Sequence, residues 1–202
     1  AHLRDLEATV AVRPSPAALQ YAQDKAKMRD RLSALGIPCP AFAICLNEAD
    51  LIAFGEHQGW PIIAKTSRGG YDGKGVWKLE SPSVAAAPFD AKPETSAGEE
   101  VVIVAEEFID FERELSALVV RSPRQAVAYP ISETIQLDGI CVETVTPAPG
   151  LPTEVASRLQ ELALRVAGDL GVVGVLAVEF MAARDGRIVV NELAMRPHNT
   201  GH

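Results

Sequence analysis

With 202 residues, 48% of them hydrophobic, the chain has room for one large or two small domains and ample material for a core. A net charge of −8 and a pI of about 5.0 argue against a broad nucleic-acid or anionic-membrane surface, while leaving local basic sites for small anions open. Cys39, Cys45 and Cys141 have no CxxC spacing, nothing reads as a signal peptide, and no apolar run approaches the ~20 residues of a membrane span, so a reducing cytoplasmic setting is expected.

Leu3, Leu6 and Val10 fit part of a helix, which Arg13-Pro14-Ser15-Pro16 breaks. Ser15 then caps a helix with Pro16 at its first position, predicted to run to about Leu35 and to stop at Gly36 with Pro38 beyond. Its cations Lys25, Lys27, Arg29 and Arg31 read mainly as a solvated face. Phe42–Leu46 reads as a short strand, and Asn47 caps a second helix containing Leu51, Ile52 and Phe54. Trp60–Ala64 is a β-like run ending in Lys65.

Residues 66–75 follow, with four glycines within the seven positions 69–75 and Arg68 and Lys74 among them. Glycine lets backbone N–H groups turn toward an anion, and the cations add charge. The stretch is neither a GxxxxGK[ST] nor a GxGxxG motif, so it reads either as a phosphate-covering loop or as a flexible hairpin connection.

Val76–Leu79 continues as a strand, and residues 81–99, rich in Ser, Pro, Ala and Glu, read as a surface connection. Glu100–Ala105 is a buried strand by composition, followed by Glu106-Glu107-Phe108-Ile109. Glu112–Val120 opens with alternation, placing Glu112, Glu114 and Ser116 on one face. Ala126–Ile131 is another strand, and Thr134–Val145 one or two more, broken at Asp138-Gly139. Pro147–Pro152 is a linker and Glu154–Leu170 an amphipathic helix ending at Gly171. Strands in series with few helices between them favour α+β over doubly wound α/β.

Val175–Met181 and Ile188–Leu193 flank an Asp185-Gly186 turn signal. A two-residue turn centred there sets Glu179 directly opposite Glu192, with Cβ atoms roughly 5 Å apart. Opposed carboxylates in an apolar hairpin repel and resist burial. Either both point to solvent, or a hard divalent cation that prefers oxygen ligands lies between them.

Lys65 ahead of the glycine loop, Glu106 to Ile109, and the Glu179/Glu192 hairpin stand in an order that resembles the ATP-grasp superfamily. Within it, GGYDGKG at 69–75 and NELAMRPHNTGH at 191–202 closely resemble the N5-carboxyaminoimidazole ribonucleotide synthetases of purine biosynthesis, over about residues 14 to 202. The resemblance implies an α+β ATP-grasp fold in which two α+β subdomains grip ATP. Most of the family's amino-terminal mononucleotide-fold domain and its carboxy-terminal part are not represented. Residues 1–16 would be a linker or remnant of that first domain, 17–110 the small subdomain with the glycine loop, and 111–202 a truncated large subdomain. The chain begins without Met and stops just after its last motif, as a portion of a longer protein would.

Position by position, the resemblance implies ATP contacts at Lys25, Lys65, Gly70, Tyr71, Asp72, Gly73, Lys74, Gly75 and Val76 around the phosphates. It implies adenine contacts at Glu106, Glu107, Phe108 and Ile109, a ribose carboxylate at Glu114, and nucleotide contacts at Gln136 and Asn191. Glu179 and Glu192 match ligands of Mg²⁺ (or Mn²⁺), and Glu192 thereby contacts the nucleotide as well. Tyr71, Asp72, Lys74, His198 and Asn199 match substrate contacts, with Arg196, Lys74 and His198 as catalytic groups. Met195, Gln136, Thr134 and Lys74 stand where relatives often have Pro, His, Asn and Arg, and Lys74 keeps the charge but not bidentate geometry.

The implied activity is that of an ATP-dependent carbon–nitrogen ligase. It joins bicarbonate to 5-aminoimidazole ribonucleotide through carboxyphosphate, releasing ADP and phosphate, with the loop at 66–75 excluding water. A homodimer is implied, without nucleic-acid or membrane partners. Other ATP-grasp ligases are the nearest alternatives, either biotin carboxylase or the formate-dependent glycinamide ribonucleotide transformylase. Biotin carboxylases usually carry Glu-x-Asn-x-Arg in the last motif, where Ala194 stands here. A nucleotide-binding module without catalysis is the alternative from another class.

Overall fold

A computed structural model describes residues 2–69, 74–91 and 101–201. Their contacts divide them into a first unit, Gln23–Asp110 with Asp138–Ile140, and a second, Ala1–Ala22, Phe111–Leu137 and Cys141–His202. Each unit combines helices with an antiparallel sheet, in keeping with the α+β expectation.

The helix predicted from Pro16 to Leu35 is two helices. α1 (His2–Glu7) precedes them; α2 is Pro16–Gln23 and α3 is Lys25–Ala34. Asp24 separates them in an extended conformation (φ −138°, ψ 103°) and caps α3, its side chain accepting from the Lys27 backbone N–H. An Asp side chain that satisfies the next turn's orphan donor competes with continuation of the helix. At Asp24 this competition is reinforced by partners distant in sequence, Ser67 and Arg68.

In the first unit β1 (Phe42–Cys45), β2 (Ile62–Thr66), β3 (Val76–Leu79) and β4 (Ile103–Glu107) form a sheet in the order β1-β4-β2-β3. β2 alternates, with Ile62, Ala64 and Thr66 buried and Ile63 and Lys65 less so. Ile62, Ala64, Ile103 and Ala105 join Leu51 of α4 (Glu48–Gln58) in one core cluster, where each fully buried Leu or Ile contributes about 1.5–3 kcal/mol. Asn47 caps α4 as expected, accepting from the Asp50 N–H. β4 is central, between β1 and β2, and contacts both α3 and α4, which explains its continuous burial from Ile103 to Glu106. Val104 and Glu106 therefore lie on the sheet face opposite Ile103 and Ala105. The connection after β3 contains a short helix, α5 (Ala87–Asp90).

The second unit is built on β5 (Phe111–Arg121), β6 (Ala126–Ala128), β7 (Ser132–Leu137), β8 (Ile140–Val145), β9 (Gly174–Ala183) and β10 (Ile188–Ala194). Its order is β10-β9-β5-β7-β8, with β6 on β5. The expected strand Ala126–Ile131 is shortened to β6: the Tyr129 N–H still donates to Leu118 O in the register of the β5 pairing, but Pro130 has no N–H to extend a ladder. α6 (Thr153–Asp169) packs on β5, β6 and β9. Leu115, Ala117, Val119, Leu176, Val178 and Phe180 share one face of β5 and β9 and are all buried.

Two deviations from the predicted hairpin cancel. Ala183 pairs with Arg187 around a three-residue turn, with Gly186 at φ +88° donating to Ala183 O, where a two-residue turn was expected. A residue in the left-handed region at the third loop position suits glycine. That turn alone would displace the partners by one residue. A bulge between Val190 and Glu192 inserts Asn191 and restores the pairing of Glu192 with Glu179.

Candidate functional site

Three charged groups converge in the first unit. Arg29 Nε lies 2.6 Å from Glu106 Oε1, and Lys65 Nζ lies 2.8 Å from Glu106 Oε2. Arg29 is fully buried and Glu106 is 1% exposed. Burial raises the Glu106 pKa, but the charges of Lys65 and Arg29 and their hydrogen bonds outweigh it and hold the carboxyl down to about 2. One anion between two cations leaves the cluster net positive, with Lys65 partly accessible. Arg29 was expected on a solvated face. Its burial corrects that reading: Ala26, Arg29 and Leu32 follow a three-residue spacing along the buried side of α3. A cation within an apolar stripe is the signal that would have found it.

Asp24 anchors the start of the glycine stretch. It accepts from Ser67 Oγ at 2.7 Å and from Arg68 Nε at 3.0 Å. Its pKa is lowered: burial pushes it up, and the bonds from Ser67, the Lys27 N–H and Arg68 prevail. Lys25 begins α3 beside this anchor, its backbone N–H donating to Ser67 O at 2.7 Å. Gly75 accepts from the Thr66 N–H at 2.9 Å, and Val76 pairs with Lys65 at the open end of β3. Lys74 is exposed, whereas Gly70, Tyr71, Asp72 and Gly73 lie outside the described residues.

Among the four predicted adenine residues, the Glu106 side chain is committed to Arg29 and Lys65 and presents no carboxyl to a base. Glu107 is tied to Ala41, accepting from its N–H and donating its own N–H to its carbonyl. Phe108 is 39% exposed, with the Lys78 ammonium 4.6 Å from its ring centroid, and Ile109 is buried.

In the second unit, side-chain alternation puts several predicted residues on one sheet face. Glu192 pairs with Glu179, Glu179 with Ser116, and Glu114 with Thr134. Glu114 is two residues from Ser116 and Gln136 two from Thr134, so Glu114, Gln136, Glu179 and Glu192 share this face, with Asn191 at the bulge beside them. Gln136 is exposed. Arg196 is exposed, its Nη1 donating to Pro197 O at 3.0 Å, and Asn199 is exposed. His198 is buried with both ring nitrogens engaged, Nε2 2.9 Å from Glu179 Oε1 and Nδ1 2.9 Å from Thr200 Oγ1. His198 thus sits beside Glu179, the predicted metal ligand, with its ring between that carboxylate and Thr200. Ser116 and Thr200 complete this network at 3.4 Å; Thr200 lies within the 191–202 motif, whereas Ser116 carries no motif beyond its place on the Glu114 strand face.

No group of three or more His, Cys, Asp or Glu side chains arranged for a metal occurs among the described residues. Two opposed carboxylates nevertheless fit Mg²⁺, which takes one or two protein carboxylates and completes its shell with phosphate oxygens and water.

Residues 30–202 match the ATP-grasp domain, and the chain belongs to that family. Within it the chain is similar to the N5-carboxyaminoimidazole ribonucleotide synthase of Mycobacterium tuberculosis, 48% identical over 194 residues that cover 96% of this chain and 44% of the relative. It is also similar to two solved structures of the Aspergillus clavatus synthase. One, complexed with ATP, has a TM-score of 0.88 at 29% identity, and the match covers 99% of this chain and 51% of that chain. The other, with ADP and 5-aminoimidazole ribonucleotide, has a TM-score of 0.86 at 27% identity with the same coverage. The chain thus spans about half, or less, of the length of these relatives.

Proposed function

We propose that the chain is the ATP-grasp portion of an N5-carboxyaminoimidazole ribonucleotide synthase, which joins bicarbonate to the amine of 5-aminoimidazole ribonucleotide at the expense of ATP. The observation that carries the catalytic reading is the register that sets Glu179 opposite Glu192 on the sheet face shared with Glu114. The similarity at 48% identity supports the choice of substrate.

Bicarbonate is a poor electrophile. Transfer of the γ-phosphoryl group to a bicarbonate oxygen forms carboxyphosphate and ADP. The exocyclic amine then takes the carboxyl carbon as phosphate departs, losing one proton. Such transfers require positioning and charge neutralisation more than acid–base chemistry. Lys65, Lys25, Lys74 and Arg196 are assigned to the anionic oxygens. Arg29 and Lys65 share the Glu106 carboxylate. The backbone at Glu107 to Ile109 and the Phe108 ring are assigned to adenine, Glu114 to ribose, and Gln136 and Asn191 to further nucleotide contacts. Gly70 to Val76 are assigned to the phosphates, and Tyr71, Asp72 and Asn199 to the ribonucleotide. Glu179 and Glu192 would hold Mg²⁺, which when bound supplies charge neutralisation at the phosphates. A homodimer belongs to the same proposal.

Phosphate release by the full-length protein with MgATP tests this reading. It should rise when 5-aminoimidazole ribonucleotide and bicarbonate are both added, and Glu192→Gln should abolish it with the fold intact. Stimulation by formate with glycinamide ribonucleotide, or by biotin, would replace the assignment with another ligase. Unchanged turnover in Glu192→Gln would remove the metal role.

A further inference from the structure

Glu179 is restrained by a buried chain of groups that the reaction itself does not call for. Glu179 Oε1 meets His198 Nε2, His198 Nδ1 meets Thr200 Oγ1, and Thr200 Oγ1 meets Ser116 Oγ, at 2.9, 2.9 and 3.4 Å. His198, Thr200 and Ser116 are 7%, 9% and 0% exposed. The Thr200 backbone N–H, which can only donate, is directed at His198 Nδ1 at 3.4 Å. An Nδ1 that accepts fits this contact, and Nε2 then faces the Glu179 carboxylate, which only accepts, as a donor. The Thr200 hydroxyl also donates to Nδ1 and is left to accept from Ser116. The chain runs from Ser116 through Thr200 and His198 and ends on the Glu179 carboxylate, a group that only accepts.

We propose that His198 is a positioning residue for the metal: it pins Oε1 of Glu179 and so reserves Oε2 for the cation. This rests on the assignment of Glu179 and Glu192 as metal ligands. Glu179 is a flexible side chain, 29% exposed, on a strand directly opposite another carboxylate. Without a restraint, like-charge repulsion turns such a side chain outward into water. The imidazole opposes that motion, and Thr200 with Ser116 fixes the imidazole's orientation and tautomer. Hydrogen-bond partners that orient a ligating group typically change metal affinity by about 10–100-fold when removed.

The test uses full-length protein with ADP present and Mn²⁺ as the probe, free Mn²⁺ being read by electron paramagnetic resonance. His198→Ala should weaken Mn²⁺ binding by at least about tenfold, with metal-free ADP affinity unchanged. His198→Gln, which can place an amide N–H near the Nε2 position, should recover most of the loss. Thr200→Val should weaken Mn²⁺ binding by a smaller factor. Should His198→Ala fail to fold, His198→Gln and Thr200→Val decide: near-normal binding in the first with weakened binding in the second supports the role, and normal binding in both overturns it. If Glu192→Gln weakens Mn²⁺ binding while His198→Ala does not, the positioning role is wrong and the metal site stands. A raised KM for 5-aminoimidazole ribonucleotide in His198→Ala with unchanged Mn²⁺ binding would likewise overturn it, assigning the ring to substrate. If Glu192→Gln also leaves Mn²⁺ binding unchanged, the metal assignment fails and the positioning role falls with it.

Discussion

Glu106 is the residue on which the first unit's charge arrangement turns. Its carboxyl sits between Arg29 and Lys65, and its pKa falls from an ordinary 4.5 to about 2. A carboxylate with a depressed native pKa binds fewer protons folded than unfolded near that range. Its stabilisation is therefore complete above about pH 4.5 and is lost as pH falls toward 2. Glu106→Gln removes the negative charge facing a fully buried guanidinium, and breaking a buried ion pair costs about 3–5 kcal/mol. Urea denaturation should show that loss at pH 7, and the gap between variant and parent should shrink as pH falls below 4.5. A gap independent of pH would mean that the carboxyl is not charged in this cluster. Sequence reasoning found Lys65 and Glu106 separately but not their contact. It placed Arg29 on a solvated face, because a single cation among Lys25, Lys27 and Arg31 looks like its neighbours until the helix face is known.

At the scale of elements, two local decisions shape the candidate site. One is the break between α2 and α3. Asp24 caps α3 and accepts from Ser67 and Arg68, so Asp24→Ala should cost about 1–2 kcal/mol for the cap alone. Asp24→Asn keeps the cap and loses the charge attraction to Arg68, so its loss in a thermal or urea melt should be smaller. Equal losses would place the effect in charge rather than capping. The other decision is the β9–β10 hairpin, where the three-residue turn and the Asn191 bulge offset each other. The Glu pairing was legible from the turn signal, although the expected turn was one residue too short. Opposed carboxylates without a cation oppose folding, so Glu192→Gln should raise metal-free stability by up to about 1 kcal/mol. The same variant should lose the Mg²⁺-dependent part of the stabilisation by ADP. A metal-free melt in which Glu192→Gln is less stable would show that the carboxylate's other interactions outweigh the repulsion.

For the molecule as a whole, ligand linkage provides the widest check. A ligand that binds only the native state stabilises by about 2.7 kcal/mol at a hundred times its Kd. At about 2–4 °C per kcal/mol for a chain of 150–250 residues, that corresponds to a Tm shift of about 5–11 °C. Mg²⁺ with ADP should produce such a shift in the full-length protein, and ADP without metal a smaller one. No shift with either would argue against nucleotide binding. No described helix is long and apolar enough to cross a membrane.

What the amino-acid order determined alone is local in origin. Alternation marked the strands, Asn47 and Ser15 marked helix starts, and Gly186 with Asp185 marked the turn that brings Glu179 to Glu192. Each of these features arises from residues within a few positions of one another, or from two strands joined by a single turn. The tertiary structure alone decided that Arg29 meets Glu106 across 77 positions, that Asp24 holds Ser67 and Arg68, and that His198 grips Glu179. Such contacts depend on strand order and on which helix covers which sheet face. Burial then makes each pairing obligatory, because a charge or polar group removed from water must find its partner wherever the fold has placed it.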